Sequence, residues 1–150
     1  MIEPSPRQAA GNALPAAAVL RSTGRIMQIN GHIEFTITER TPDRVDAEMP
    51  IQDGIPNPFG TVHAGATLWL ADVTATVLVL EGTDPTMGMQ GFPLAVNLNA
   101  NLIGNSRKGR FHAQAHYVKR GKSVSIVRTT VTDDKGRLIA DVTTSHVPSK

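Results

Sequence analysis

Apolar and polar residues alternate with a period of two over much of this chain, and one long apolar stretch near the middle breaks the rule. His32 to Thr38 sets Ile33, Phe35 and Ile37 against polar neighbours, and Arg44 to Met49 does the same with Val45, Ala47 and Met49. Thr41-Pro42-Asp43 supplies turn chemistry between them, so the pattern predicts a β-hairpin. Further on, Leu94 to Leu102 alternates strictly, with Leu94, Val96, Leu98, Ala100 and Leu102 on one side and Ala95, Asn97, Asn99 and Asn101 on the other. Arg110 to Val118, Val124 to Val131 and Leu138 to Val147 follow, separated by Gly104-Asn105-Ser106, Arg120-Gly121-Lys122 and Asp133-Asp134-Lys135-Gly136. These predict four meandering antiparallel strands.

The exception is the segment from His63 to Leu80. Val73, Thr74, Thr76, Val77 and Val79 favour a strand, but the run is too long for one and lacks any internal turn residue. A segment that is apolar nearly all round suits a fully buried helix. The expected fold class is therefore α+β, an antiparallel sheet of about five or six strands wrapped around one long central helix. Residues 1 to 13, rich in Pro, Ala and Gly, read as a disordered tail, Leu14 to Met27 as a short helix, and 14–150 as a single domain.

Composition narrows the function classes. At 150 residues, with 40% hydrophobic and 19% charged, the chain fits one globular domain. With no cysteine, neither a disulfide framework nor a thiolate site exists. The most apolar segment, Leu68 to Leu80, is shorter than the roughly 20 residues that span a bilayer, and nothing near the N-terminus has signal-peptide form. A soluble, cytoplasmic protein without membrane association is the expectation. The net charge of +2 hides an asymmetry: residues 1 to 106 hold 5 Lys/Arg against 10 Asp/Glu, and residues 107 to 150 hold 10 against 3. Arg107, Lys108, Lys119, Arg120 and Lys122 form the basic positions of two turns, which suits an anionic small molecule. With aromatics at 4%, stacking of nucleic-acid bases has little to build on.

The chemistry concentrates at the start of the apolar stretch. Asn57-Pro58-Phe59-Gly60-Thr61-Val62-His63-Ala64-Gly65 is a Pro/Gly-rich loop, and Asp72 is the single carboxylate in the run from Ala66 to Leu80. An unpaired carboxylate in such surroundings costs several kcal/mol, so it has either a partner or a task. His112 and His116 have the spacing of a helical zinc site, but the alternation of Phe111, Ala113, Ala115 and Tyr117 makes the segment a strand. That puts them roughly 13 Å apart, too far for one metal, and no metal site is expected.

Asn57, His63, Gly65 and Asp72, at these spacings, resemble the hotdog-fold acyl-CoA thioesterases, the branch of phenylacetyl-CoA-type enzymes and their mammalian relatives. The likeness runs from about Leu20 to Val147, and Val96-Asn97-Leu98-Asn99 and Gly121-Lys122 also fit. Two positions depart from the pattern. Ala64 stands where the family has the first Gly of His-Gly-Gly, and Ala95 aligns with a Ser or Thr that many such enzymes use to hold the attacking water.

The resemblance implies hydrolysis of an acyl-CoA or aryl-CoA thioester, with no cofactor apart from the coenzyme A of the substrate. Asp72 would act as general base or as nucleophile, and the first N–H groups of the helix, at Ala64 and Gly65, would bind the oxyanion. Asn57 would donate to the carbonyl or hold the water, and His63 would orient the loop or contact the thioester. Phe59 and Trp69 would wall the acyl pocket; Asn97 and Asn99, on one strand face with Asn101, would line a ligand groove or a polar subunit interface; and the basic turns would hold the phosphates or stand as solvated hairpin tips. Ala64 and Asp72 are about 12 Å apart along a helix, so one thioester reaches both only across a two-fold axis. A homodimer with composite sites, further paired into a homotetramer, is the expected assembly. The alternative is a non-catalytic acyl-CoA-binding hotdog module.

Overall fold

The structure is a computed structural model that describes residues 28–150, and Gly31 to Lys150 form one compact unit. The expected tail and the expected helix over Leu14 to Met27 lie outside the described residues. Six strands and one helix follow in the order β1 (Thr36–Arg40), β2 (Arg44–Pro50), α1 (Ala64–Val79), β3 (Pro93–Leu102), β4 (Arg110–Lys119), β5 (Ser125–Asp133) and β6 (Leu138–Pro148). All pairings are antiparallel in one sheet of order β1-β2-β4-β5-β6-β3, and α1 packs on one face of it. This is the hotdog arrangement the sequence led us to expect.

Small residues let the helix sit close to the sheet. Ala66, Ala71 and Ala75 of α1 are buried with Ala47, Ala113, Ala115 and Ala140 of the strands, and larger side chains such as Leu70, Leu78, Met49, Phe111 and Val131 fill the space between. A core made largely of Ala, Val and Leu explains how so few aromatics suffice. The alternations in β2, β4 and β5 hold: Val45, Ala47 and Met49, then Phe111, Ala113 and Ala115, then Val127 and Val131 all face inward. The first predicted strand is displaced toward its C-terminal end, since β1 begins at Thr36, while Ile33 and Phe35 precede it and still pack on the core.

Two expectations fail at β3. It is not part of a meander with β4: it lies at the far edge of the sheet, paired with β6 alone. The segment 103–109 therefore crosses the β5–β6 turn, where Ile103 and Gly104 N–H groups both reach the Ile139 carbonyl and Arg110 N–H reaches Asp134 Oδ2 at 2.9 Å. Local turn chemistry at Gly104-Asn105-Ser106 cannot distinguish a hairpin from a crossover. The second failure is the face assignment. A β-bulge at Val96 sets Ala95 opposite His146 and Asn97 opposite Ser145, so the strict alternation in sequence does not carry through the strand. Ala95, Leu98, Ala100 and Leu102 share the helix-side face with the buried His146, Thr144, Val142 and Ala140; Asn97, Asn99 and Asn101 share the opposite face with Ser145, Thr143 and Asp141.

Candidate active site

The loop before α1 is held by its own side chains. Asn57 Oδ1 accepts from the N–H groups of Phe59 at 2.9 Å and Thr61 at 3.3 Å, and its Nδ2 donates to Thr61 Oγ1 at 2.9 Å. The main chain closes the same turn through Asn57 N–H to the Thr61 carbonyl and Gly60 N–H to the Asn57 carbonyl. Gly60 has φ +76°, a conformation that costs glycine little. Arg107 donates to the Phe59 carbonyl from outside the loop.

Asn105, which sequence reasoning treated only as a breaker, fastens this loop to the crossover. Its Oδ1 accepts from Val62 N–H at 3.0 Å and its Nδ2 donates to the Val62 carbonyl at 2.8 Å, a two-point clamp on a fully buried residue. A breaker motif carries no signal for such a long-range pair.

His63 is the N-cap of α1, with extended φ −63° and ψ 134°, and its Nδ1 accepts the Gly65 N–H at 2.9 Å. A Cβ at residue 65 would lie 3.2 Å from that nitrogen, which accounts for glycine there. Of the two N–H groups expected to be free, Gly65's is thus taken by the cap, while Ala64's has no partner among the described residues. Ala64 also replaces the family glycine without backbone strain, because Glu81 is the sole non-glycine with positive φ among the described residues.

Asp72 lies two turns further along α1, about 12 Å from Ala64. The residue is half-buried, and its Oδ1 is buried without a hydrogen-bond partner among the described residues. The same holds for Nδ1 of His146, a histidine on β6 that is 1% exposed, whose Nε2 meets Thr144 Oγ1 at 2.9 Å. Burial pushes the His146 imidazole below its ordinary value, while the Pro93 backbone and the Asp72 carboxylate pull the other way. Sequence reasoning missed His146, because a histidine in a C-terminal strand gives no sign of which helix residue it faces.

The other candidates scatter. Trp69 is 45% exposed on α1 and meets Phe35 edge to face, with ring centroids 4.8 Å apart; Phe59 stands exposed on the loop. Asn97 and Asn99 occupy the sheet face away from α1 and Asp72. Within one protomer the two basic turns do not converge. They sit at opposite ends of the ten-residue β4, roughly 30 Å apart. Arg107 and Lys108 line a cleft of about 540 Å³ with Thr61, Asn105 and Arg137. Arg120 instead stacks on Tyr117 at 4.4 Å and pairs with Asp43 at 3.2 Å and Glu81 at 3.4 Å. His112, between Glu48 at 3.4 Å and Asp134 at 2.8 Å, serves the outer face of the sheet, and His116 meets Gln114 there. Among the described residues no cluster of His, Asp and Glu suits a metal, and no helix is long and apolar enough to cross a membrane.

Known proteins share this architecture. Residues 59–140, more than half of the chain, match the family model of the Thioesterase superfamily. The 1,4-dihydroxy-2-naphthoyl-CoA hydrolase of Escherichia coli is 27% identical over 111 residues, covering 72% of this chain and 76% of that one. Human acyl-coenzyme A thioesterase 13 is 27% identical over 109 residues, covering 71% and 74%. Among solved structures, a mutant thioesterase from Staphylococcus aureus superposes with a TM-score of 0.71 at 27% identity, over 77% of this chain and 93% of that one. With the hotdog sheet, the capped helix and its lone carboxylate in place, the chain belongs to the thioesterase superfamily and is a thioester hydrolase.

Proposed function

We propose that the protein hydrolyses the thioester of an acyl- or aryl-coenzyme A to the free acid and coenzyme A, with Asp72 as general base. The observation that carries this reading is the buried Asp72 Oδ1 with no partner among the described residues. A structural carboxylate would have recruited an arginine, as Asp133 has recruited Arg137 at 2.6 Å. In the proposed reaction a water oxygen attacks the carbonyl carbon, and its proton passes to Asp72 Oδ1. The carbonyl electrons move to the oxygen, which accepts the Ala64 N–H and a hydrogen bond from the second Nδ2–H of Asn57. When the C–S bond breaks, the sulfur takes its electron pair and the proton returns from Asp72 to the thiolate. His63 keeps the first turn of the helix in register for this contact.

The site is assembled from two chains. Support comes from the axial separation of Ala64 and Asp72 and from the surfaces beside them. α1 leaves Trp69 exposed and Val73, Thr76 and Val77 only partly buried, and the edge strand β3 exposes Leu98 and Leu102 beside the helix. An unpaired apolar edge strand of this length invites a second copy. A two-fold axis with antiparallel helices brings Ala64 and Asn57 of one chain to Asp72 of the other. The names of the relatives, an aryl-CoA hydrolase and an acyl-CoA thioesterase, are consistent with this substrate class.

Asp72→Asn tests the reading. The expected result, on a panel of acyl- and aryl-CoA substrates followed with a thiol-detecting dye, is a kcat lower by about 10²–10⁴-fold. The melting temperature should be unchanged or raised, since no partner is orphaned by the change. Wild-type kcat in this variant would end the assignment of Asp72. A wild-type protein that binds acyl-CoA without releasing thiol would be a binding module instead.

A further inference from the structure

The family hydroxyl that would help hold the water is missing, because Ala95 occupies its place. The bulge at Val96 gives that substitution a meaning, since it sets Ala95 directly across from His146 on the helix-side face. His146 is buried, its Nε2 is anchored at 2.9 Å on Thr144 Oγ1, and its Nδ1 is left without a partner among the described residues. Asp72 Oδ1, on the helix packed over β3 and β6, is left in the same condition. A buried polar atom without a hydrogen bond is uncommon, and two on neighbouring elements call for a shared third group. Ala95 is exposed in the single chain while His146 is not, so the place lies at the β3 edge, on the side where the proposed two-fold seats the second copy and its oxyanion donor.

We infer that His146 Nδ1 and Asp72 Oδ1 of one chain hold the attacking water between them, His146 doing on β6 what a hydroxyl at position 95 does on β3; this rests on the hydrolase reading above. The water accepts the Nδ1–H with one lone pair, donates one O–H to Asp72, and keeps its second lone pair for the carbonyl carbon. This role assigns the Nδ1–H tautomer, in which Nε2 accepts from the Thr144 hydroxyl. Burial, which disfavours the imidazolium, keeps the ring neutral and therefore able to play this part at pH 7.

Three variants measured beside Asp72→Asn decide the matter. His146→Gln can keep a contact to Thr144 but removes the polar atom at the Nδ1 position; kcat should fall by about 10–100-fold with KM within about three-fold. Adding Ala95→Ser to His146→Gln restores a hydroxyl on the opposite strand, and kcat should recover by about ten-fold. His146→Asn keeps a donor at the Nδ1 position and should stay within about five-fold of wild type. A folded His146→Gln with wild-type kcat, or a double variant no faster than His146→Gln, overturns the inference. Should His146→Gln fail to fold, a folded His146→Asn decides alone, retention of kcat supporting the inference and a loss beyond about ten-fold overturning it. Loss of kcat in Asp72→Asn beside full activity in His146→Gln rejects His146 alone, whereas full activity in Asp72→Asn rejects the base as well.

Discussion

The loop that starts α1 and the Asp72–His146 region halfway along it follow opposite rules. Around Asn57 and His63 the polar side chains find partners within a few residues: Asn57 closes its own turn, Asn105 clamps Val62, and His63 caps the helix on the Gly65 N–H. Around Asp72 and His146 two buried polar atoms have none among the described residues. Saturation makes the loop a rigid donor platform, because a moved amide would lose a bond that nothing nearby replaces. The open valences at Asp72 and His146 have the reverse property, since they gain a partner only when water or substrate arrives. A protein keeps such a costly pair where the missing partner is a reactant.

If the two regions meet only across a subunit boundary, breaking one in each chain must be complementary. Asn57→Ala removes the loop half of both sites and Asp72→Ala the helix half, so each homodimer should be nearly inactive. After subunit exchange half of the dimers are hybrids, each with one intact site, and activity should recover to roughly a quarter of wild type. Verified hybrids without recovery would place Asn57 and Asp72 in one site of one chain.

The comparison sharpens further at Asn105. Asn105→Ala should leave the Val62 N–H buried and unpaired, costing about 1–3 kcal/mol of stability. The loop then loses its register, and kcat/KM should drop by about ten-fold, through kcat more than KM. Equal melting temperatures for variant and wild type would show that the clamp is replaced by solvent.

Much of this architecture was legible before any coordinates. The periods of β2, β4 and β5 and the uniform apolarity of α1 depend on local burial, which sequence records directly. The loop residues Asn57, His63 and Gly65 stood out through the family resemblance and not through any period, and the contacts they make run only two to four residues along the chain. What escaped depends on strand order. The placement of β3 beside β6, the bulge that faces Ala95 toward His146, and the clamp from Asn105 to Val62 bring together residues about 40 or 50 positions apart. No periodicity encodes those meetings. The separation of the two basic turns escaped for the same reason: hairpin tips were assumed where one of the two connections is a crossover.

Those basic turns differ among themselves, and coenzyme A binding should reflect it. Arg120 is committed to Tyr117, Asp43 and Glu81, whereas Arg107, Lys108, Lys119 and Lys122 enter no ion pair among the described residues. Replacing Lys119 and Lys122 with Ala should raise KM for acyl-CoA by about 3–10-fold and flatten its dependence on salt, with kcat unchanged; replacing Arg107 and Lys108 should raise KM likewise but also lower kcat, because Arg107 holds the Phe59 carbonyl of the loop. Arg120→Ala should lower the melting temperature more than it raises KM. A KM indifferent to both pairs would assign the patches to another ligand.

The smallest expected effect concerns the one buried carboxylate that does have its partner. Burial pushes the Asp133 carboxyl up, but the Arg137 guanidinium and the N–H groups of Arg137 and Lys135 outweigh it and hold the group at about 2, below the ordinary 3.8. A lowered value in the folded state means that the unfolded chain takes up this proton first as pH falls. The stabilisation from Asp133 is therefore complete above the ordinary value, declines as pH drops from about 4 toward 2, and is gone below the folded value. Asp133→Asn removes the charge and turns one of two oxygens, each of which accepts from N–H groups of Arg137 or Lys135, into a donor. Its melting temperature should lie below wild type at pH 7, and the gap should narrow between pH 4 and pH 2, because the charge that the variant lacks is then being neutralised in wild type too. A gap of constant size across that range would mean that Asp133 acts through hydrogen-bond geometry alone, and the contrast with the unpaired Asp72 would then rest on shape and not on charge.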